Sequence, residues 1–392
     1  MIVCCLTLPM EFSRMKAKIT DEQLISERQN GLTLKQIAAK YGMHIRTVEG
    51  RSAKLSRAGF GHDRDYRHIV PDGYKVKGVS SLMGKDGEIK MSWLKTDIDR
   101  ERQREIMEQM IEAYTSELPR EEATPSPSGV NEDLLALYPI FDLHIGAMAH
   151  RHECGENYDT AEAERIMNKF FDYSIQSSPN AERAVFLLGG DVLHYDGMTP
   201  VTPTSGNVLD SDSRYAKLVY VALRATRRAI NMLLKKHKQV DVQILPGNHD
   251  ESGMVWLRAA MAAIYENEPR IFVDTSPAIM HRTRWGKTLI GYTHGHTQKK
   301  PEVRLSVLAT DYREEFGQSR YVYCHSGHWH HQTITEMALG IDEIHGQLGA
   351  KDAYAANGGW RSMRQAAVIV YSKEFGEIGR FTVRPEMFNS II

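Results

Sequence analysis

The stretch Val240-Asp241-Val242-Gln243-Ile244-Leu245-Pro246-Gly247-Asn248-His249-Asp250 sets the reading of the whole chain. Val240 to Leu245 is a strand-like run, and Pro246-Gly247 ends it. The residues that follow are an amide, an imidazole and a carboxylate, so the strand ends in ligand chemistry. Working outward, four more runs have the same form. Leu134 to Phe141 leads into Asp142-Leu143-His144, and Ala184 to Leu188 into Gly189-Gly190-Asp191. Thr288 to Tyr292 leads into Thr293-His294-Gly295-His296, and Tyr321 to Cys324 into His325-Ser326-Gly327-His328-Trp329-His330.

Helices are expected at Thr160 to Ile175, Ser213 to Lys236 and Val255 to Tyr265. Strands alternating with helices predict a layered α/β domain. In such folds ligands gather beyond the carboxyl ends of strands. Five loops meeting there bring carboxylate, imidazole and amide donors together, a mixture suited to Mn, Fe or Zn. Glycines beside the donors permit tight turns and close backbone approach. Taken singly, Asp-x-His is usually a turn and Gly-Asp is common by chance. His325 or His331 alone reads as an ordinary polar residue. The ordered coincidence of five is what carries weight.

The ordered set Asp142-x-His144, Gly190-Asp191, Gly247-Asn248-His249-Asp250, His294 and Gly327-His328-x-His330 resembles the calcineurin-like metallophosphoesterase superfamily. The resemblance covers roughly the last two thirds of the chain. It implies an α/β fold, a β-sandwich flanked by helices. It implies one divalent metal on Asp142, His144, Asp191 and His330, and a second on Asp191, Asn248, His294 and His328, with Asp191 as the bridge. Mn is the first expectation, with Fe, Zn and Mg as alternatives. Two such cations about 3.5–4 Å apart clamp a phosphate, and bound water is acidified from about 15.7 to about 7. His249 is expected to face the phosphate and serve the leaving oxygen. Asp250 either orients an imidazole from behind or caps a helix. His296, two residues from His294, is an alternative ligand that the family pattern places behind the cage.

The bulk numbers set outer limits. The 392 residues suggest two or three domains. With 42% hydrophobic and 25% charged residues, a large core is available and global disorder is excluded. A net charge of −1 leaves any polyanion affinity to local patches. The four cysteines, Cys4, Cys5, Cys154 and Cys324, form no CxxC pair, which fits a reducing cytoplasm. No apolar run approaches about 18 residues, so no spanning helix and no membrane partner are expected. Met1 to Pro9 is apolar but short, with Arg14, Lys16 and Lys18 on the wrong side for a secretory signal. It reads as a disordered leader, or as a start placed ahead of Met10 or Met15.

Residues 15–61 read as a helix-turn-helix module. Thr20-Asp21-Glu22-Gln23 and Thr33-Leu34-Lys35-Gln36 are capping boxes, and Gly31 ends the first helix. Within Gln36 to Val48, Ala38 lets two helices approach, Gly42 takes the turn with positive φ, and Val48 anchors the second helix. Met15 to Phe60 carries nine basic against four acidic side chains. A recognition helix from His44 to Leu55 would offer Arg46, Thr47, Arg51 and Lys54 to DNA, with protein docking as the alternative use.

Residues 62–116 read as a connector. Its hairpin pairs Gly78 to Met83 with Glu88 to Leu94 around Gly84-Lys85-Asp86-Gly87, and a helix follows from Asp97 to Ser116. Residues 117–131, with Pro119, Pro125 and Pro127, read as a linker that tethers the module to the domain at 132–392. The loop Tyr195 to Ser213 is expected to border the cleft. A phosphoester site and a DNA-binding-like module on one chain point to a metal-dependent DNA phosphodiesterase, nearest the double-strand-break-repair exonucleases, of phage or prophage type. The alternatives are a phosphomonoesterase or cyclic-nucleotide phosphodiesterase on small substrates, and a DNA-binding regulator whose metal domain is a scaffold.

Overall fold

Capping chemistry sets the first helices. In the computed structural model, which describes residues 19–57, 60, 74–83, 89–99, 101–102, 105, 109, 115–116, 118–203, 205–359 and 361–388, α1 (Asp21–Gln29) and α2 (Leu34–Lys40) each begin with a reciprocal Thr/Gln capping box, on Thr20 and Thr33. Gly31 follows α1 at φ +84° and Gly42 follows α2 at φ +56°. Next comes α3 (Ile45–Arg57). Ile19, Leu24, Ile37, Ala38 and Val48 form the small core that the three helices share.

The strands β1 (Tyr74–Met83) and β2 (Ile89–Ile98) pair antiparallel, with Ser80 opposite Trp93 and Leu82 opposite Met91. The Ser56 hydroxyl donates to the Val79 carbonyl at 2.7 Å, fixing the hairpin to α3. Asp97 and Ile98 belong to β2, where they pair with Lys75 and Tyr74. The helix expected from Asp97 therefore starts later. Glu101, Arg102, Glu105, Gln109, Thr115 and Ser116 are helical. Its remaining residues, the turn at 84–87 and the apolar stretch at 1–9 lie outside the described residues.

The chain divides into two units, Met1–Glu112 and Ala113–Ile392. In the second, the proline-rich segment takes no regular structure, yet it is fastened down. The Glu121 N–H donates to the Ile264 carbonyl at 2.7 Å, Thr124 donates twice to Glu268, and Arg120 pairs with Glu266. From Leu118 onward the expected tether is bound chain.

The order of elements is β3 (Asn131–Ile140), α4 (Arg151–Cys154), α5 (Thr160–Ser177), β4 (Ala181–Leu188), α6 (Tyr215–Leu234), β5 (Gln239–Ile244), α7 (Glu251–Ile264), β6 (Ile271–Val273), β7 (His281–Trp285), β8 (Thr288–Tyr292), α8 (Pro301–Asp311), α9 (Arg313–Gly317), β9 (Tyr321–Ser326), β10 (Thr333–Met337), β11 (Gly340–Ile344), α10 (Ala353–Asn357), β12 (Ala366–Ser372) and β13 (Gly376–Val383). They build a six-stranded sheet, β13-β12-β3-β4-β5-β6, and a five-stranded sheet, β10-β11-β9-β8-β7. β3 to β6 run parallel, as do β8, β9 and β11.

Side-chain alternation makes the layers. Leu135, Leu137, Val185, Leu187, Ile369 and Tyr371 face Ile290, Tyr292 and Tyr323 between the sheets. The opposite face of the six-stranded sheet, with Tyr138, Phe186 and Val242, packs on α5, α6 and α7. Leu289, Val322 and Cys324 pack on Leu305 and Leu308 of α8. The result is the expected sandwich between helices. Among the described residues, no helix is long and apolar enough to cross a membrane.

Candidate metal centre

Parallel neighbours deliver their following loops to one edge, and here those loops carry the polar motifs. Among the described residues, oxygens and nitrogens suited to a metal converge in four groups: Asp142, His144 and His330; Asp191, His294 and His328; His144, His194 and His249; and, behind them, His325, Glu343 and His345. In the first, His144 Nε2 lies 3.3 Å from His330 Nε2, which is 3.5 Å from Asp142 Oδ1. In the second, His294 Nε2 lies 3.1 Å from Asp191 Oδ2 and 3.3 Å from Asn248 Oδ1. All seven expected ligands thus lie in or beside these groups, Asn248 by its contact with His294.

The backbone is bent to achieve this. The positive-φ residues other than glycine, among those described, are Asp142, His144, Asp191, His328 and His330, at 49° to 72°. This conformation costs about 1 kcal/mol or more at each L-residue, and it concentrates where function requires it. Two glycines make the close approach possible. A Cβ on Gly247 would sit 2.0 Å from Asp191 Oδ1, and one on Gly327 would sit 2.6 Å from Asp142 Oδ2.

His294 and Asp142 are oriented by backbone partners. His294 Nδ1 donates to the Gly189 carbonyl at 2.9 Å, leaving Nε2 to face Asp191. The His328 N–H donates to Asp142 Oδ2 at 2.9 Å. Asp142 Oδ1 is buried with no hydrogen-bond partner. Burial resists charge on both Asp191 and His294, yet their attraction holds the Asp191 carboxyl well below its usual range and pushes His294 up to about 10. Burial and nearby His249 and His330 hold His144 well below the usual imidazole range, and burial and His294 bring His328 down to about 4. An orphaned buried carboxylate oxygen, converging imidazole nitrogens and a mixed N/O donor set fit divalent cations.

Asp250 has a role different from both sequence-based expectations. Its carboxylate accepts four backbone N–H groups, from Gly247, Asp191, Val192 and Leu193, at 2.6 to 3.2 Å. It makes no side-chain cap on α7. Asp196 serves there instead, accepting from the N–H groups of Ser252 and Gly253. Asp250 thus clamps the Gly-Asp loop to the Gly-Asn-His loop. Asp250→Ala leaves four donors unpaired in the interior and should cost about 4 kcal/mol, at about 1–3 kcal/mol per orphaned group partly relieved by water. Thermal unfolding should fall by at least about 8 °C; a shift under about 2 °C would remove the clamp.

His249 lies beside the cage, its ring centroid 4.9 Å from that of His144. Its N–H donates to Asp191 Oδ1 at 2.8 Å and its Nδ1 donates to the His194 carbonyl at 2.7 Å. That leaves Nε2 as the nitrogen free to act, and it can give up a proton when the ring is the imidazolium. His194 is a site residue that the motifs do not name. It is buried, with its Nδ1 3.4 Å from His144 Nδ1. Its signal is only that it follows Asp191 within the same loop. His296 sits next to His294, ring centroids 5.3 Å apart, with a buried Nδ1 that has no partner. His325 is taken up behind the cage by His345 and Tyr371, each at 2.8 Å, while His331 is exposed. The loop Tyr195 to Ser213 runs against the segment after His144, with Met148 N–H donating to the Asp210 carbonyl.

No family model and no curated protein matches the chain. Solved structures do resemble it. A conserved uncharacterized protein of Streptococcus pneumoniae, a predicted phosphoesterase, is 11% identical and covers 65% of this chain and 100% of its own, with a TM-score of 0.26. An archaeal phosphodiesterase is 13% identical, over 64% and 99%, with a TM-score of 0.32. A dimetal phosphatase of Danio rerio is 10% identical, over 64% and 98%, with a TM-score of 0.31. Likeness at this level leaves the chemistry to be read from the side chains.

In the N-terminal unit, three of the four expected DNA contacts are exposed: Arg46, Thr47 and Lys54. Arg51 is engaged elsewhere. Its guanidinium pairs with Asp21 and donates to the Ile19 carbonyl at 2.7 Å, pinning the start of α1 to α3. A half-buried arginine with these partners braces α1 against α3.

Proposed function

We propose that the chain is a calcineurin-like phosphoester hydrolase that uses two divalent cations and acts on DNA phosphodiesters. The observation that carries the reading is the set of left-handed Asp and His residues, which fall into two donor groups, Asp142, His144 and His330 in one and Asp191 and His328 in the other. Asp142, His144, Asp191 and His330 would hold one cation, and Asp191, Asn248, His294 and His328 the other, Mn before Fe, Zn or Mg. Bound there, such ions supply charge to phosphate oxygens and acidify water. The chain's own residues do the rest. Asp191 would bridge the two groups, Gly189 and Asp142 fix imidazole and backbone, and His249 would present Nε2 to the leaving oxygen with its other nitrogen held by His194. The buried, unpaired Cys154 and Cys324 suit a reducing cytoplasm.

DNA as substrate draws on the N-terminal unit, read as a helix-turn-helix with Gly42 at the turn and Ala38 and Val48 in its core. Linear and nicked DNA incubated with Mn, Mg or Zn should be cut, and chelator should stop it. Turnover of p-nitrophenyl esters alone would favour the small-substrate alternative, and a gel shift without hydrolysis the scaffold alternative. Replacing Arg46 and Lys54 by Ala should weaken DNA binding regardless of sequence. It should also flatten the log–log salt slope by about 0.9 for each phosphate no longer neutralised; an unchanged slope would move the DNA interface off α3.

A further inference from the structure

Trp329 stands between His328 and His330 and is 41% exposed. An indole left in water forfeits the burial and hydrogen bonding that indoles usually find. Trp285 of the same unit shows the usual arrangement, buried with its Nε1 donating to the Asp133 carbonyl at 2.8 Å. Trp329 is held outward by its backbone. His328 and His330, on either side, are in the left-handed region at φ 72° and 56°. The Trp329 N–H donates to the Gly327 carbonyl at 2.9 Å, and its carbonyl accepts from His331 Nδ1 at 2.8 Å. The indole and the His328 ring are steeply inclined to one another, centroids 5.3 Å apart and planes at 72°. The exposed indole is therefore seated directly beside one of the clustered donors, His328.

We propose that Trp329 is a stacking platform for an unpaired nucleobase next to the phosphate being cleaved, so that the site takes single strands or frayed ends rather than closed duplex. The inference rests on the phosphoesterase reading and specifies its substrate. Base faces inside a duplex are covered by their neighbours, and an exposed indole stacks only on a base that has left the stack. Stacking tolerates every base, so the platform selects for strandedness and not for sequence.

The test uses the full chain in chelator, with fluorescence anisotropy on short oligothymidylate and on a strand of equal length made of abasic residues. Phosphate contacts, including any by the N-terminal helices, are common to both strands and cancel. The wild type should bind oligothymidylate roughly tenfold more tightly than the abasic strand. Trp329→Ala should remove that preference, and Trp329→Phe should keep most of it. Equal wild-type affinity for the two strands overturns the proposal without any variant, and a preference that survives in Trp329→Ala overturns it as well. Metal uptake and hydrolysis of bis(p-nitrophenyl) phosphate by the wild type report separately on the phosphoesterase reading. A chain that passes those and fails base discrimination loses only the platform. A chain that fails those and discriminates bases through Trp329 keeps the platform and loses the chemistry.

Discussion

Asp191→Asn should lose bound metal and turnover together, by at least about 10³-fold in rate, beyond the about 10–100-fold typical of removing a group behind a ligand. The two oxygens of Asp191 face different ways: Oδ1 accepts from the His249 N–H and Oδ2 faces His294 Nε2. An amide keeps one oxygen and puts an NH₂ in the other place. That NH₂ opposes either a backbone N–H or a position meant for a cation, and the negative charge is gone. The size of the side chain is unchanged, so thermal unfolding should move little compared with Asp250→Ala. Elemental analysis of the purified variant gives the decisive number. Normal metal content would show that Asp191 is not shared between the two groups.

His249→Ala should separate what Asp191→Asn merges. His249 contributes its backbone N–H to Asp191, and that N–H survives the substitution. The side chain donates to the His194 carbonyl and to none of the clustered donors. Metal content should therefore stay at the wild-type level while turnover falls by about 10²–10⁴, the usual range for a lost general acid. Esters with good leaving groups should suffer least, because their oxygens need no proton. Full turnover in the variant would remove the role assigned to His249.

The sandwich was legible because its central strands announce themselves twice, by apolar runs and by the polar residues that end them. Thr288–Tyr292 was read to the residue, and β3, β4 and β5 to within a few. The flanking strands carried weaker signals. His281–Trp285 alternates buried with exposed positions but with histidine, arginine and threonine among its five residues, a pattern that looks like loop. Gly376–Val383 is half-exposed along most of its length. The site was legible wherever a donor belonged to a motif. It was not where a residue acts through geometry alone. Nothing in the local sequence says that Asp250 gathers N–H groups from a loop 57 to 59 residues away. Nor does anything say that Arg51 folds back onto Asp21, 30 residues earlier. Both look like ordinary charged side chains until the chain is closed.

The hydrogen bond between the His328 N–H and Asp142 joins residues 186 positions apart. A nascent chain growing at about 5–20 residues per second would therefore hold Asp142 without its His328 partner for roughly ten to forty seconds. During that interval the early half offers only a partial set of donors. Ion capture must wait for the last third of the polypeptide, so a ribosome stalled before residue 328 should carry a product unable to retain cations.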